Sequence, residues 1–372
     1  MTEEKNTVFD LENLPDDELG EREERFRQEY HQGRRRARIF MTTLIILLVV
    51  AFIVSFNLGR YNVAPKGVIE SLIKGLKLGL GHIEDWSNAE DTVVWLVRMP
   101  RVLGAIMVGG ALSVAGATYQ GLFRNPMVSP DILGASAGAS VGACFMMLLN
   151  QGSAMIQLGA FVMGIVAVAL SYFLSKAVGR GGNMVLLLVL CGMTVNTLFQ
   201  AIVSIIKYLA DTESQLPAMT YWLMGSLGKV SYRDLAFFIV TFIIGLVPIM
   251  AMRWRLNLMT FGEDEAKAMG VNVTAIRLVC IVCATLLTAA VVSIAGTIGW
   301  VGLMIPHLVR FIIGPNNKTL IPMSLLTGGL FMLIVDDVCR SLLAYEIPLG
   351  VLTSLLGAPF FIFILYKRKG NG

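Results

Sequence analysis

Apolar residues in this chain come in long uncharged runs. Stretches free of Asp, Glu, Lys and Arg recur from about Ile39 to near the C-terminus, and a membrane-crossing helix needs about 20 such residues. Helices are the expected form, because a helix satisfies its own backbone in lipid. A barrel would show short alternating segments instead. The predicted spans are about 39–58 and 100–122, then two within Ile132–Ser175 separated at Asn150–Ser153. They continue at 185–206 and 235–252, with two more in Leu278–Val309 broken near Gly296–Gly299, and end at 320–339 and 348–366. A polar loop reaching about residue 97 follows the first span and carries a candidate surface helix near 65–80. The expected fold class is all-α: a polytopic membrane protein of about ten transmembrane helices with both termini cytoplasmic.

Composition agrees. The chain is 55% hydrophobic and 15% charged, against about 25% charged for an ordinary soluble domain. The net charge of +4 says less than its placement. With residues 1–38 cytoplasmic, ten spans put 20 of the 30 Lys and Arg inside, the bias expected of cytoplasmic loops. That charged tail is acidic, then basic, and ends in "GRRRARIF", so Arg34–Arg38 read as an anchor at a lipid bilayer rather than a nucleic-acid site. No cleavable signal peptide is apparent ahead of Ile39. The five cysteines lie in or beside apolar runs, and the Cys280–Cys283 pair falls inside a predicted span, so core packing is the reading for them.

One internal echo exists. "SVAGATYQGLFRNP" (113–126) aligns with "SIAGTIGWVGLMIP" (293–306) at a spacing of 180 residues. The copies would run in opposite directions, as in the inverted repeats of transporters.

No engine is visible. A GxxxxGK[ST] loop is absent, and "GSLGKV" (225–230) lacks its first Gly and its Ser/Thr. His31, His82 and His307 are far apart, so no paired-His metal site exists, and no Ser-His-Asp arrangement can be argued. Charges do not stud the predicted spans as an ion-coupled carrier requires. The chain can form a path, and its energy source is expected on another chain.

Between two spans lies "NLMTFGEDEAKAMGVNV" (257–273), inside a polar segment at about 253–277. Thr260 and Glu263 fit a capping box. Glu263, Asp264 and Glu265 fill the first turn, where the helix dipole favours acids. Glu263 and Lys267 are spaced for an i, i+4 pair, and Gly270 is a natural stop. Such a helix can push on its flanking spans, or it can be an ordinary solvated loop helix. At the opposite face stand Arg98 and Arg101 in "VRMPR" and Arg340 in "VDDVCR". Arginines outside run against the positive-inside bias. Two reasons fit equally: docking of an acidic partner, or local pairing such as Arg340 with Asp336. Asp336, Asp337 and Glu346 are candidate partners of these arginines. "RNPMVSPDILGASAGAS" (124–140) reads as a tight turn into a closely packed helix, with Asn125 and Asp131 as caps.

Together these motifs resemble the permease subunit of ABC importers for iron-siderophores, haem and vitamin B12. The resemblance covers about residues 40–369. It rests on "RMPR" (98–101), "GALSVAGATYQGLFRNPMVSPDILGASAGA" (110–139), "YWLMGSLGKVSY" (221–232), "FGEDEAKAMGV" (261–271), "GTIGWVGLMIPHLVRFIIG" (296–314), "DDVCR" (336–340) and "EIPLGVLTSLLGAPFFIFIL" (346–365). The resemblance implies a non-catalytic ten-helix subunit in the plasma membrane, pairing as a homodimer or heterodimer. Two ATP-binding subunits would dock below, and ATP and magnesium would sit on them, with no cofactor in this chain. By the same resemblance, Glu263, Asp264, Glu265, Lys267 and Gly270 form the coupling element, with His307 and Arg310 near the ATPase. Gly181, Gly182, Asn183 and Met184 resemble the cytoplasmic gate. Arg98, Arg101 and Arg340 would receive a substrate-binding protein. A ferric siderophore is the expected cargo, with haem or vitamin B12 as alternatives and a self-powered carrier as a more distant one. The long tail depart from the family pattern, as does Asp337, which stands where an apolar residue is usual.

Overall fold

The computed structural model describes residues 16–59, 61, 63–78, 89–179, 184–343 and 345–369. The chain divides into two units, Met1–Ile46 and Leu47–Gly372. Helix α1 (Asp16–Ser55) begins in the first. Within that unit Thr42 Oγ1 and Thr43 Oγ1 donate back to the carbonyls of Arg38 and Ile39 at 3.1 and 3.0 Å, so the hydroxyls at this polar-to-apolar boundary are satisfied inside the helix.

The second unit is helical throughout its described regular structure. The surface helix α2 (Pro65–Leu78) is followed by α3 (Ala89–Thr92), a π-helical turn at Val93–Arg98, and α4 (Met99–Leu122). A 3-10 turn at Pro130–Leu133 leads into α5 (Ala135–Leu148), α6 (Ser153–Val178) and α7 (Met184–Leu209). Then come α8 (Gln215–Met224), α9 (Tyr232–Leu258), α10 (Glu263–Ala268), α11 (Val273–Ala295), α12 (Val301–Ile313), α13 (Asn317–Ser341) and α14 (Leu349–Lys369). Among the described residues seven helices are long and apolar enough to cross a membrane, and three shorter apolar ones lie at Ala135–Leu148, Val301–Ile313 and Leu349–Ile364. The predicted breaks fall where expected, at 149–152 and 296–300.

α8 is a correction. The sequence predicts no element between the spans at 185–206 and 235–252, yet Gln215–Met224 is helical. Ten residues are too few for a span, so the apolar-run criterion passed over it. Its first residue anchors it, Gln215 Nε2 donating to Leu148 O at 3.1 Å and to Asn150 Oδ1 at 2.9 Å. The next helix starts on a box that went unread: Ser231 N–H and Oγ–H both donate to Asp234 Oδ2, at 2.9 and 2.7 Å, while the Asp234 N–H returns to Ser231 Oγ. Ser231→Ala should cost about 1 kcal/mol, read as a lowered thermal midpoint of the purified protein.

α4 is the central helix, buried along nearly its whole length. Small residues let its neighbours approach backbone to backbone. A Cβ on Gly109 would lie 2.0 Å from Gly328 O, and one on Gly116 1.8 Å from Gly302 O. Helices α5 and α6 meet in the same way, Gly142 against Gly159 O at 2.0 Å. In lipid such packing takes over from hydrophobic exclusion. By contrast α6, α7 and α9 leave Val162, Phe173, Leu190, Ile205, Ile243 and Val247 exposed, as helices facing lipid or another apolar partner do.

The two echo segments meet in space but do not share a backbone. Gln120 Nε2 donates to Leu303 O at 3.2 Å, and Arg310 Nη1 donates to Gln120 Oε1 at 3.0 Å. Ser113–Leu122 is uninterrupted helix, whereas the aligned Gly296 turns with φ 70° and ends α11.

Candidate functional site

The two groups of candidate residues sit at opposite ends of α4, which at 24 residues spans about 36 Å.

At its Leu122 end, the following turn brings Arg124 beside α10. Arg124, Met184, Phe261, Gly262, Glu263, Asp264 and Glu265 line an open cleft of about 440 Å3. The acidic trio fills the first turn of α10, as expected. The expected capping box is absent. Gly262 is the N-cap, at φ 146°, and Thr260 Oγ1 donates backward to Asn257 O at 2.6 Å instead. Glu265 folds its carboxylate over Gly262, where any Cβ would strike it. The expected Glu263–Lys267 pair is also replaced: Lys267 Nζ pairs with Asp264 at 3.1 Å, and Glu263 with Arg277. Gly270 ends the helix as expected, at φ 79°, with Gly270 N–H donating to Lys267 O and Val271 N–H to Ala266 O. These two bonds form a Schellman motif.

Met184, the first residue of α7, reaches the cleft, while Gly181, Gly182 and Asn183 lie outside the described residues. His307 and Arg310 line no part of it. The His307 ring packs edge-on to Phe311 at 5.3 Å and lies among Trp300, Phe360 and Phe361 along a shallow apolar crevice. Arg310 is held by Gln120. Below α4 the Asp131 carboxyl accepts from Ser136 Oγ, and burial pushes it above the usual carboxylate range.

At the other end of α4 the three arginines are almost completely buried. Arg101 donates from Nε to both oxygens of Asp336 at 2.9 and 3.0 Å, from Nη2 to Asp336 Oδ1 at 3.0 Å, and from Nη1 to Glu346 Oε1 at 2.8 Å. Arg340 pairs with Asp337, lies 3.8 Å from Asp336, and donates to Ser55 O at 2.6 Å. Arg98 donates to the carbonyls of Phe56 and Tyr61. Arg98 and Arg340 thus cap the last turn of α1, which has no basic residue of its own there, at the end where the helix dipole favours cations. Of the two readings open for these arginines, the geometry supports internal pairing. Arg101 and Arg340 are engaged with carboxylates, and Arg98 with the carbonyls of Phe56 and Tyr61 just past α1. Asp337 also finds its reason, because its carboxylate accepts from Ser55 Oγ at 2.6 Å and balances Arg340.

A third junction was not visible in the sequence. The ends of α8 and α11 and the start of α14 meet: Ser226 N–H donates to Ala295 O at 2.8 Å and Leu349 N–H to Gly225 O at 2.9 Å. Gly225 and Gly296, both at positive φ, press together there, since a Cβ on Gly296 would lie 2.2 Å from Trp222 O. Broken backbone within an apolar bundle needs such internal partners. Among the described residues no group of three or more His, Cys, Asp or Glu side chains is placed to hold a metal ion.

The FecCD transport family profile matches residues 47–367. This chain belongs to the FecCD transport family. The match begins where the second unit does. The chain is 37% identical over 330 residues to the molybdate import system permease protein MolB of Haemophilus influenzae, covering 88% of this chain and 96% of that one. It is 34% identical over 354 residues to the hemin transport system permease protein HmuU of Yersinia pestis, covering 91% and 98%. A solved structure described as an inward-facing conformation of a metal-chelate type ABC transporter superposes with a TM-score of 0.77 at 35% identity, over 89% of this chain and 99% of that one. The chain is accordingly a multi-pass membrane permease of the ABC importer type.

Proposed function

We propose that the chain carries a ferric chelate of the siderophore type across the plasma membrane, drawing on ATP hydrolysed by a separate subunit. The observation that carries the ATP-driven part is α10 itself. It is a short helix, rigidly stopped, with an acidic first turn beside an open cleft, and it lies inside the family match. Such a helix is the contact for two ATP-binding subunits, which hold the ATP and magnesium. The permease pairs with a second copy or a close relative, and the cargo arrives from a substrate-binding protein on the outer side. We take the chain to make ten crossings with both ends in the cytoplasm; seven long apolar helices and three shorter ones among the described residues support this count. Molybdate is the second reading for the cargo, favoured by the similarity to MolB over 96% of its length.

Two experiments test this. In a strain lacking the chain, ATP-dependent uptake of a labelled ferric siderophore should be lost, and it should return on complementation. Loss of molybdate uptake instead selects the second reading, and uptake that persists after ATP depletion overturns the ATP-driven mechanism. Separately, Asp264→Lys with Glu265→Lys should lower the amount of ATPase subunit retained on the purified permease about tenfold, as a loss of roughly 1.4 kcal/mol does.

A further inference from the structure

We propose that α10 is built as a rigid extension of α11 and is hinged to α9, with the Glu263–Arg277 ion pair as the strut that carries any displacement of α10 into α11. The proposal rests on the coupling role given to α10 above, and it says which span receives the motion.

Toward α11 the chain has little freedom. The Schellman motif closes α10 at Gly270. Two residues on, Asn272 Oδ1 accepts the Ala275 N–H at 3.0 Å and caps α11. Ala266, Val273 and Ile276 are buried around this link. The far end of α10 is tied as well. Glu263, in its first turn, pairs with Arg277, which lies 14 positions along in the second turn of α11 and whose side chain is only 10% exposed. A six-residue helix held at both ends by the same neighbour moves with that neighbour.

Toward α9 the opposite holds. The connection runs through Phe261, which is 69% exposed, and Gly262, at φ 146° with no side-chain cap on the helix that follows. The end of α9 is latched elsewhere: Asn257 Oδ1 accepts the Asn317 N–H at 2.7 Å, and Asn257 Nδ2 donates to Asn316 Oδ1 at 2.8 Å. At this end α9 is thus latched to α13, and α10 to α11, with Gly262 between them. Farther along, α9 packs closely on α11, where a Cβ on Gly245 would lie 3.0 Å from Cys283 O, so the hinge is local to the Gly262 end. Beyond Arg277, α11 reaches the central helix, where Tyr119 OH lies 3.1 Å from Thr285 Oγ1. A push on α10 thus arrives at α4 through α11.

The test is hydrogen–deuterium exchange on the full permease with its ATPase subunit in lipid nanodiscs, with and without ATP. In the wild type, ATP should change protection in α10 and in the first turns of α11 together. In Arg277→Gln, which removes the strut from the α11 side and leaves the acidic first turn of α10 intact, α10 amides should exchange about tenfold faster even without nucleotide, and the ATP response of α11 should vanish while the ATPase stays bound. The exchanged pair Glu263→Arg with Arg277→Glu should restore both, which a change in α10 packing alone would not do. An α11 response that persists in Arg277→Gln with ATPase bound overturns the proposal, as does unchanged α10 exchange without nucleotide. If no ATPase subunit stays with the wild-type chain, the coupling role fails, and the nucleotide-free comparison still decides the strut.

Discussion

Asp336→Asn is expected to remove about 3–5 kcal/mol of stability, the usual consequence of breaking a buried ion pair from one side. The Asp336 side chain is completely buried and receives three hydrogen bonds from Arg101, with Arg340 at 3.8 Å. Asparagine keeps the volume but not the charge, so two buried guanidinium groups would share only Asp337 and the half-exposed Glu346. Little folded permease should then accumulate in the membrane. Glu346→Gln should cost only about 1 kcal/mol, because its side chain is 27% exposed and water compensates. Thermal midpoints of the detergent-solubilised proteins check this ordering, and equal midpoints for the two variants would refute it. The same geometry bears on charge reversal at Arg101. Uptake would be lost there because α4 and α13 come apart, so that loss would carry no information about a docking protein.

Gly109→Ala is the second large effect. The added Cβ would lie 2.0 Å from Gly328 O and 2.5 Å from Met332 Cβ. A carbonyl in a helix cannot rotate away as a side chain can, so α4 and α13 must separate. Overpacking of this kind costs about 1–3 kcal/mol or more, and in lipid the lost contact is itself the force holding the helices together. Gly152→Ala is the control, with nothing within 4 Å of its Cβ; its midpoint should match the wild type. Gly109 and Asp336 act on the same helix pair, so the double variant should fall short of the sum of the two. An unshifted midpoint for Gly109→Ala would show that the α4–α13 contact is looser than described.

Most spans could be read from the sequence, because the length of an uncharged run is a local property and lipid enforces it. The breaks at 149–152 and 296–300 were readable for the same reason, since polar or glycine-rich residues interrupt the runs there. The acidic first turn of α10 and its stop at Gly270 followed from local capping rules. Those rules failed where two candidates competed. Thr260 had a capping spacing, but Gly262 took the N-cap and Glu263 turned to Arg277, a partner the helical spacing of the segment cannot reveal. α8 escaped because its stability comes from Gln215 reaching α5 rather than from its length.

By itself the sequence determined an all-helical membrane protein, the order of its apolar helices, a polar helix between α9 and α11, and a set of arginines paired in number by nearby acids. These depend on neighbours along the chain and on the solvent each stretch can tolerate. Only the tertiary structure decided which groups the arginines bond, which span α10 is tied to, and that the ends of α8, α11 and α14 share one junction. Each of those answers is a contact between distant positions, from Arg101 to Asp336 or from Leu349 to Gly225. An arginine near a helix end satisfies the same local rules whether it faces a partner protein or a buried carboxylate. What separates the two is whether a carboxylate on another helix arrives within hydrogen-bonding distance, and that is settled by how the helices pack.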